Sequence, residues 1–405
     1  MKIRSITYFC NPKYPLDEKI LRKAGEFLSK AKSTYESAGY EVQTVRLATI
    51  PFPKLLGEKN INDLSKFANE FSKTIQEVGI SYASLGPALP DSAKSYQVIP
   101  EAISASENIF FSGVMADDKK IHLAQIKACA EIIVRNARLD ANGFANLRFA
   151  ALANVNAGAP FFPAAYWDND EPAFAIAVES ADVAVKAFET ESSLGESRSV
   201  LISEIEKHGQ AIEKIAKKEL SEIKFLGIDF SFAPFPDDAH SLGKAVENMG
   251  VKKIGLHGSL ASAAILTEAI ERANFLHVGF NGFMQPVLED SVLAKRAADG
   301  TLTIKDALLY SAVCGTGLDT VPLPGDSKAD EIAPLLLDLC ALSLRLNKPL
   351  TARLMPIPNK SAGDETNFDF AFFANSKVMK LESEPLKNAL GGDESFSLNS
   401  KLPNQ

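Results

Sequence analysis

The sequence has few cysteines and histidines, and neither residue type is spaced to bind a metal. Its 405 residues include five histidines and four cysteines, Cys10, Cys129, Cys314 and Cys340. The cysteines form no CxxC pair, which argues against a disulfide framework and a thiolate zinc site. No HxH or HxxxH pattern occurs, so a histidine-rich zinc centre is not expected either. Reduced thiols in a cytoplasmic protein fit this composition best.

Basic clusters and long apolar runs are also missing. Lysine and arginine total 43 against 51 aspartates and glutamates, a formal net charge of −8. This balance argues against nucleic acid or an anionic membrane as the main partner. No apolar run approaches the ~20 residues that a membrane helix needs, and the chain begins as an alternating strand rather than as a signal peptide. We expect a small-molecule ligand, and a homo-oligomer, specifically a dimer.

Short apolar or β-branched runs alternate with amphipathic stretches along the chain. The runs predict strands over 3–9, 42–47, 80–84, 109–112, 148–154, 174–179, 225–232, 276–280 and 352–357, with a weaker tenth over 371–379. The stretches between them predict helices over 17–38, 61–78, 119–135, 180–187, 194–220, 260–273 and 329–346. This alternation favours an α/β fold with parallel strands and helical crossovers.

The number of predicted strands narrows the architecture. About ten strands are too many for a minimal dinucleotide-binding domain and close to a closed barrel or a large wound sheet. No GxGxxG motif follows the first strand, and no Walker sequence occurs. We expect one α/β barrel domain over residues 1–380. The polar residues 381–405 are expected to form a C-terminal tail that is loosely ordered or lies over the surface.

Polar residues follow or interrupt several predicted strands, where ligands of parallel α/β folds usually bind. Asn154, Asn281 and Arg353 are the predicted substrate-binding residues in these positions. Arg353 can hold a carboxylate or phosphate with two parallel hydrogen bonds, or it can pair with an acidic neighbour. The strand ends therefore predict a binding site for a polar or anionic molecule.

Carboxylates at the same strand ends are candidate catalytic groups or metal ligands. Asp229 lies in the apolar run GIDFSF, where a buried aspartate is costly unless it is paired, hydrogen-bonded or metal-bound. It can alternatively face solvent or cap a turn. Glu179 with Asp182, and Glu289 with Asp290, offer oxygen pairs for Mg²⁺, Ca²⁺ or Mn²⁺, or for acid and base roles. Both pairs can instead provide negative charge at helix N-termini.

The stretch CGTGLDTVPLPGD, residues 314–326, predicts a loop of defined shape. Its three glycines permit positive φ angles and close ligand approach, and its two prolines stiffen the end of the loop. Cys314 and Asp319 are candidate nucleophiles or general acids and bases, although Cys314 can also be an inert buried side chain. Asp326 is a candidate substrate-binding residue just before a predicted helix, whose first amides suit an anion.

Several long motifs together are similar to a known family. They are CGTGLDTVPLPGD, GFNGFMQPVLED at 279–290, NKPLTARLMPIPNKSAGDE at 347–365, FFPAAYW at 161–167 and GIDFSFAPFP at 227–236. They resemble "domain of unknown function 711", also called UPF0210, over most of the chain to about residue 379. The resemblance implies a fold like pyruvate formate-lyase and other glycyl radical enzymes, a ten-stranded barrel of two parallel five-stranded halves. It implies no settled activity.

The same resemblance allows a comparison with radical chemistry. Cys314 is placed like the loop cysteine of glycyl radical enzymes, but Gly391 and Gly392 lie in a polar tail unlike the glycine motif of those enzymes. We therefore do not expect a glycyl radical enzyme, since a fold does not fix a function. The leading hypothesis is a hydrolase or lyase that acts on a small polar or anionic metabolite bound in the barrel mouth. In one form of this hypothesis, a metal ion assists the reaction. The alternative is a non-catalytic ligand-sensing or regulatory protein.

Overall fold

The protein is described by a computed structural model that covers residues 1–190 and 193–401. These residues form eleven strands: β1 Lys2–Cys10, β2 Val42–Thr49, β3 Tyr82–Ala88, β4 Ile109–Ala116, β5 Lys120–His122, β6 Phe149–Ala153, β7 Ala173–Glu179, β8 Lys224–Ala233, β9 Gly317–Pro324, β10 Leu350–Ile357 and β11 Ser395–Ser397. All of them belong to one sheet, in the order β8-β7-β1-β2-β3-β4-β6-β10-β9, with β5 and β11 off this path.

Helices occupy most of the segments between the strands. They are α1 Glu18–Ser37, α2 Phe52–Leu56, α3 Leu64–Glu77, α4 Ala93–Gln97, α5 Ile99–Ser104, α6 Leu123–Ala137, α7 Ala181–Ala187, α8 Leu194–Glu219, α9 Leu242–Asn248, α10 Ser259–Arg272, α11 Ser291–Ala298, α12 Ile304–Tyr310 and α13 Ala329–Leu346. Short 3₁₀ turns lie at Glu58–Asp63, Phe144–Arg148, Asp238–His240 and Asn388–Gly391. The seven predicted helices are confirmed within a few residues. The exceptions are Lys120–His122, which form strand β5, and residues 61–63, which belong to the first 3₁₀ turn.

The sheet is mixed but mostly parallel. Six strand pairings are parallel, including the run β1-β2-β3-β4-β6. The pairs β7-β8 and β9-β10 flank this run and join it antiparallel through β1 and β6. The predicted α/β class with parallel strands is confirmed. Closure of the sheet into a barrel stays a prediction.

The main apolar core lies between one side of the sheet and the helices. Alternate residues of β1, such as Ile6 and Tyr8, pack there against α1. The Tyr8 and Phe27 rings lie 5.6 Å apart. Residues of the other alternation, such as Phe9, belong to a separate cluster that contains no helical residue. The period of two along β1 therefore divides a helix-covered face from a face that borders loops and a cavity.

Two predicted strands are wrong, and three strands, β5, β9 and β11, were not predicted. Residues 276–280 and 371–379 form no regular strand. Positive φ angles at Gly279 (82°) and Asn281 (47°) break the extended backbone of the first. Conversely, β9 lies inside the predicted loop at 314–326. Gly317 permits the close approach of β9 to β10, since a Cβ there would lie 2.2 Å from the Thr351 carbonyl oxygen. The two prolines of β9 are tolerated because β9 ends the strand order.

The C-terminal segment lies against the surface. Strand β11 pairs antiparallel with β5, and Lys127 donates hydrogen bonds to the Gly391 carbonyl and to Asp393. The last four residues of the predicted tail, 402–405, lie outside the described residues. Within the part of the chain that is described, every helix is too short or too polar to cross a membrane.

Candidate functional site

A cavity of about 250 Å³ is lined by buried and partly buried charged side chains from several strands. The cavity is lined by four charged residues from strands: Arg4 of β1, Arg46 of β2, Asp229 of β8 and Arg353 of β10. Glu289, just before α11, also lines it. Aromatic side chains form much of its wall; among them are Tyr82, Phe110, Phe161 and Phe162. The cavity thus combines charge with apolar surface, as small-molecule sites commonly do.

Five side chains form a chain of alternating charges, and three of them, Arg4, Glu289 and Arg353, line the cavity. Arg4 donates hydrogen bonds to Glu179 (3.2 Å) and Glu289 (2.6 Å). Arg353 donates to the other oxygen of Glu289 (2.7 Å) and to both oxygens of Asp319 (2.5 and 3.0 Å). Glu289 therefore bridges two arginines, and Arg353 holds Asp319 with the two-pronged geometry that guanidinium groups favour. We call these residues the ion network.

Irregular register places both arginines of the ion network. The pairing of β1 with β7 shifts between Ile3 and Ser5, at the position of Arg4. The pairing of β9 with β10 shifts around Arg353, where Thr320 has a φ of 41°. A positive φ at a β-branched residue is strained, and bulges of this kind redirect neighbouring side chains. The local backbone is therefore shaped around the ion network.

The carboxylates of the ion network are already engaged. Burial alone would lower the pKa of Arg353, but the carboxylates of Asp319 and Glu289 outweigh burial and raise it. Glu179 also accepts a hydrogen bond from Gln43 (2.8 Å). These carboxylates are held by cations rather than directed freely into the cavity. Their arrangement supports a structural frame for a site better than a set of metal ligands.

Arg46 lines the cavity without a carboxylate partner among the described residues. Its Nε donates to the Thr44 hydroxyl (2.9 Å), and its guanidinium lies over the rings of Phe162 (5.1 Å) and Tyr82 (5.9 Å). Burial, and then the charge of Arg4, lower the pKa of Arg46 to about 9. The group remains protonated at pH 7, so the cavity contains a cation that no ion pair in residues 1–190 and 193–401 balances.

A second arginine of the cavity, Arg148, also has no carboxylate partner within hydrogen-bonding distance among the described residues. Arg148 lines the cavity, and its one hydrogen bond among the described residues goes to the Ser106 carbonyl. Burial lowers its pKa, with opposing contributions from Asp140 and Glu107. Two guanidinium groups of this cavity therefore form no ion pair in the part of the chain that the structure covers.

The two predicted site residues Asp229 and Asn281 hold a loop to β8. Asp229 accepts hydrogen bonds from the amides of Phe280 (2.9 Å) and Asn281 (3.1 Å) and from the amide and hydroxyl of Ser231 (3.1 and 2.5 Å). Burial raises its pKa, against these hydrogen bonds. The Asn281 side chain in turn accepts from the Phe230 amide (3.0 Å). Asp229 lines the cavity, whereas Asn281 does not.

The other predicted site residues are divided between the ion network and places outside the cavity. Glu179, Asp319 and Arg353 belong to the ion network. Cys314 is fully buried in the main apolar core, Asn154 lies 3.4 Å from Asn347, and Asp326 is exposed. None of these last three lines the cavity. Their predicted roles stay predictions, and the geometry around the cavity does not use them.

The structure contains no cluster of ligands, among the described residues, that would support the predicted metal site. In the described residues, no group of three or more histidine, cysteine, aspartate or glutamate side chains could hold a metal ion. Asp290 accepts hydrogen bonds from the first amides of α9 and α11, as the helix-terminal alternative expected. Asp182 pairs with the terminal amine and Lys186. A divalent metal stays a prediction.

Comparisons with known proteins agree with the resemblance inferred from the motifs. A family profile described as "Uncharacterised ACR (DUF711)" matches residues 1–376. A UPF0210 protein of Pyrobaculum aerophilum is 30% identical over 363 residues, which are 84% of this chain and 79% of the relative. One of Halothermothrix orenii is 29% identical over 374 residues, with 87% and 82% covered. Neither relative's name states an activity.

Proposed function

The chain belongs to the uncharacterised DUF711 family, and we propose that it binds a small organic anion in the cavity through Arg46. The observation that carries this proposal is a guanidinium group on the cavity wall that has no carboxylate partner among the described residues. An arginine has five N–H donors, and only the Nε of Arg46 donates to a described group. An anion would satisfy both the charge and the remaining donors.

The shape of the cavity supports a particular kind of anion. A carboxylate matches the planar donor pairs of a guanidinium group. The rings of Tyr82 and Phe162 hold Arg46 in place and leave apolar surface for the rest of the ligand. A volume of about 250 Å³ is small beside the roughly 300–1,000 Å³ of drug-sized sites. We therefore propose a small metabolite with a carboxylate and an apolar portion.

The ion network supports this proposal because it holds the strands around the cavity in fixed positions. Binding sites work best when their groups are held in place before the ligand arrives. Arg4 and Arg353 are each fixed by two carboxylates, and Glu289 joins them. This frame positions the strands that carry the cavity wall, while Arg46 remains available to the ligand.

We also propose that the sheet closes into a barrel around the cavity. Residues 276–288 connect the two ends of the strand order through backbone hydrogen bonds. Ile228 of β8 donates to Leu276 (2.8 Å), and Val287 donates to Asp319 of β9 (3.0 Å). Such a connection would place the cavity inside the barrel, in keeping with the predicted likeness to glycyl radical enzyme barrels. That likeness stays a prediction.

Catalysis on the bound anion, by hydrolysis or lyase chemistry, is a further proposal for the same cavity. Asp229 supports it, because this carboxyl group lines the cavity and burial raises its pKa. The alternative, a ligand-sensing protein, needs the anion site but no acid or base. Turnover that Asp229→Asn abolishes would favour the enzyme. A cytoplasmic location and a dimeric state stay predictions from the sequence.

A thermal-shift screen tests the proposed anion site. The probes are propanoate, lactate, succinate, malate, 3-phenylpropanoate, phenyllactate and inorganic phosphate at constant ionic strength. We expect at least one carboxylate to raise the melting temperature of the wild type, because a ligand stabilises the folded state that binds it. Arg46→Met should lose this response. Arg198→Met is the matched control, since Arg198 pairs with Glu268 on the surface.

Two outcomes of the screen would overturn the proposal. One is an equal shift in the wild type and Arg46→Met, which would place the anion elsewhere. The other is no shift with any carboxylate or with phosphate while the control protein and wild type remain folded. A response to phosphate alone would keep the anion site but replace the carboxylate.

A further inference from the structure

Two hydroxyl groups of β1 are buried without a hydrogen-bond partner among the described residues. Ser5 and Thr7 are both 0% exposed, and neither Ser5 Oγ nor Thr7 Oγ1 has a partner within residues 1–190 and 193–401. Ser5 also lines the cavity that contains Arg46. Buried polar groups in folded proteins are nearly always hydrogen-bonded, so two such groups at one place indicate a missing partner.

The strand register places these hydroxyls beside Arg46. Thr7 is directly opposite Arg46 of β2 and, on its other side, opposite Ala175 of β7. Ser5 is one row further along the same face and is opposite Ala177. Side chains opposite each other on neighbouring strands lie roughly 5 Å apart at their Cβ atoms. Ala177 lines the cavity together with Ser5, whereas Thr7 and Ala175 do not line it. Ser5 is therefore the hydroxyl that a ligand in the cavity can reach directly.

A hydroxyl can donate one hydrogen bond and accept others, so Ser5 and Thr7 suit a neutral group with the same capacity. An ammonium group suits them less well. It would add a positive charge near Arg46, while Glu179, Glu289 and Asp319 are already paired with arginines. A hydroxyl close to the carboxylate would reach both Arg46 and the β1 hydroxyls.

We infer that the ligand is a small hydroxy acid, with its carboxylate on Arg46 and its neighbouring hydroxyl on Ser5, supported by Thr7. This inference rests on the proposed anion site, and it adds the substituent that the site selects. It assigns Ser5 and Thr7 as specificity-determining residues. An unsubstituted carboxylate would leave both buried hydroxyls unpaired, which weakens its binding.

The test compares matched acids that differ by one hydroxyl. Titration calorimetry with the whole 405-residue chain measures the affinities of three pairs: lactate and propanoate, malate and succinate, and phenyllactate and 3-phenylpropanoate. We expect the wild type to bind the hydroxy acid of at least one pair about fivefold to tenfold more tightly, the usual effect of one hydrogen bond. This preference should fall to about one in Ser5→Ala and should shrink in Thr7→Val.

Ser112→Ala is the matched control. Ser112 of β4 is also 0% exposed, and its hydroxyl has no partner among the described residues. It pairs with β3 and β6 rather than with Arg46, and unlike Ser5 it does not line the cavity. We expect it to retain the wild-type preference. Thr7→Val keeps the shape of the side chain, so it provides a second variant if Ser5→Ala fails to fold.

The outcomes separate this inference from the proposed function. Equal affinities within every pair, with binding still lost in Arg46→Met, overturn the hydroxy-acid inference and leave the anion site standing. A preference that survives in Ser5→Ala and in Thr7→Val overturns the role of the β1 hydroxyls. Absence of binding for all six acids, or binding unaffected by Arg46→Met, overturns both.

Discussion

Replacing Arg353 with methionine should destabilise the protein far more than an ordinary loss of an ion pair. Arg353 is 6% exposed and Asp319 is 1% exposed. The variant would leave Asp319 buried without its two guanidinium hydrogen bonds, whereas Glu289 would keep Arg4. Removing one partner of a buried pair costs about 3–5 kcal/mol, because the remaining charge is not compensated.

The free energy of unfolding gives the measurement. Urea unfolding can be followed by the fluorescence of Trp167, which is the one tryptophan of the sequence and is 7% exposed. The double variant Arg353→Met with Asp319→Leu should recover at least about half of the loss, since apolar residues often replace a buried ion pair at little cost. This recovery would show that the unpaired carboxylate causes the effect.

The surface pair of Arg198 and Glu268 provides the control. Their side chains are 32% and 40% exposed, so Arg198→Met should cost less than about 1 kcal/mol. A cost of Arg353→Met no larger than that of Arg198→Met would refute the reasoning. A double variant no more stable than Arg353→Met would refute the explanation by the unpaired carboxylate.

Three further predictions concern backbone, pH and the core. Gly279→Ala should lower the free energy of unfolding in urea by about 3 kcal/mol or more, since its Cβ would lie 2.4 Å from Asp229 Oδ2. Gly300→Ala is the control: its Cβ would meet open space, so it should cost about 1 kcal/mol. Burial acts to raise the pKa of Asp299, but hydrogen bonds from a threonine, a lysine and an arginine lower it below 3.8. The charged form is therefore the stabilising one, and the stability difference between wild type and Asp299→Asn should be full at neutral pH and shrink below about pH 4. A constant difference from pH 7 to pH 3 would contradict this. Cys314→Ala should lower the free energy of unfolding by about 1–2 kcal/mol and leave the carboxylate affinity measured by calorimetry unchanged. A loss of affinity in this variant would indicate that the thiol takes part in binding.

Periodicity predicted much of the fold. The apolar alternation of 3–9 and 42–47 gave β1 and β2 nearly at their bounds, and helical spacing gave α1, α8 and α13. Strand β9 was missed because its glycine and prolines are typical of a loop. What decides its structure is the approach of Gly317 to β10, a tertiary contact that local composition does not contain. The same limitation applies to 276–280, whose apolar pattern is overridden at Gly279.

The residues around the cavity could be singled out from the sequence only in part. Arg353, Asp319 and Glu179 were singled out, and the structure brings them into one ion network. Arg4 and Arg46 were overlooked, although a signal was present, since each places a charge inside a predicted strand. The sequence does not show which of these two arginines pairs with a carboxylate. This pairing depends on Glu289, which is more than 200 residues away along the chain from both.

Calorimetric titration of the tightest-binding carboxylate of the screen tests the central claim most directly. The titration compares wild type with Arg46→Met at the same pH and ionic strength. Our account predicts that the association constant falls at least about tenfold in the variant, because charged hydrogen bonds are worth roughly 1.5–3 kcal/mol. Equal association constants in the two proteins would contradict it.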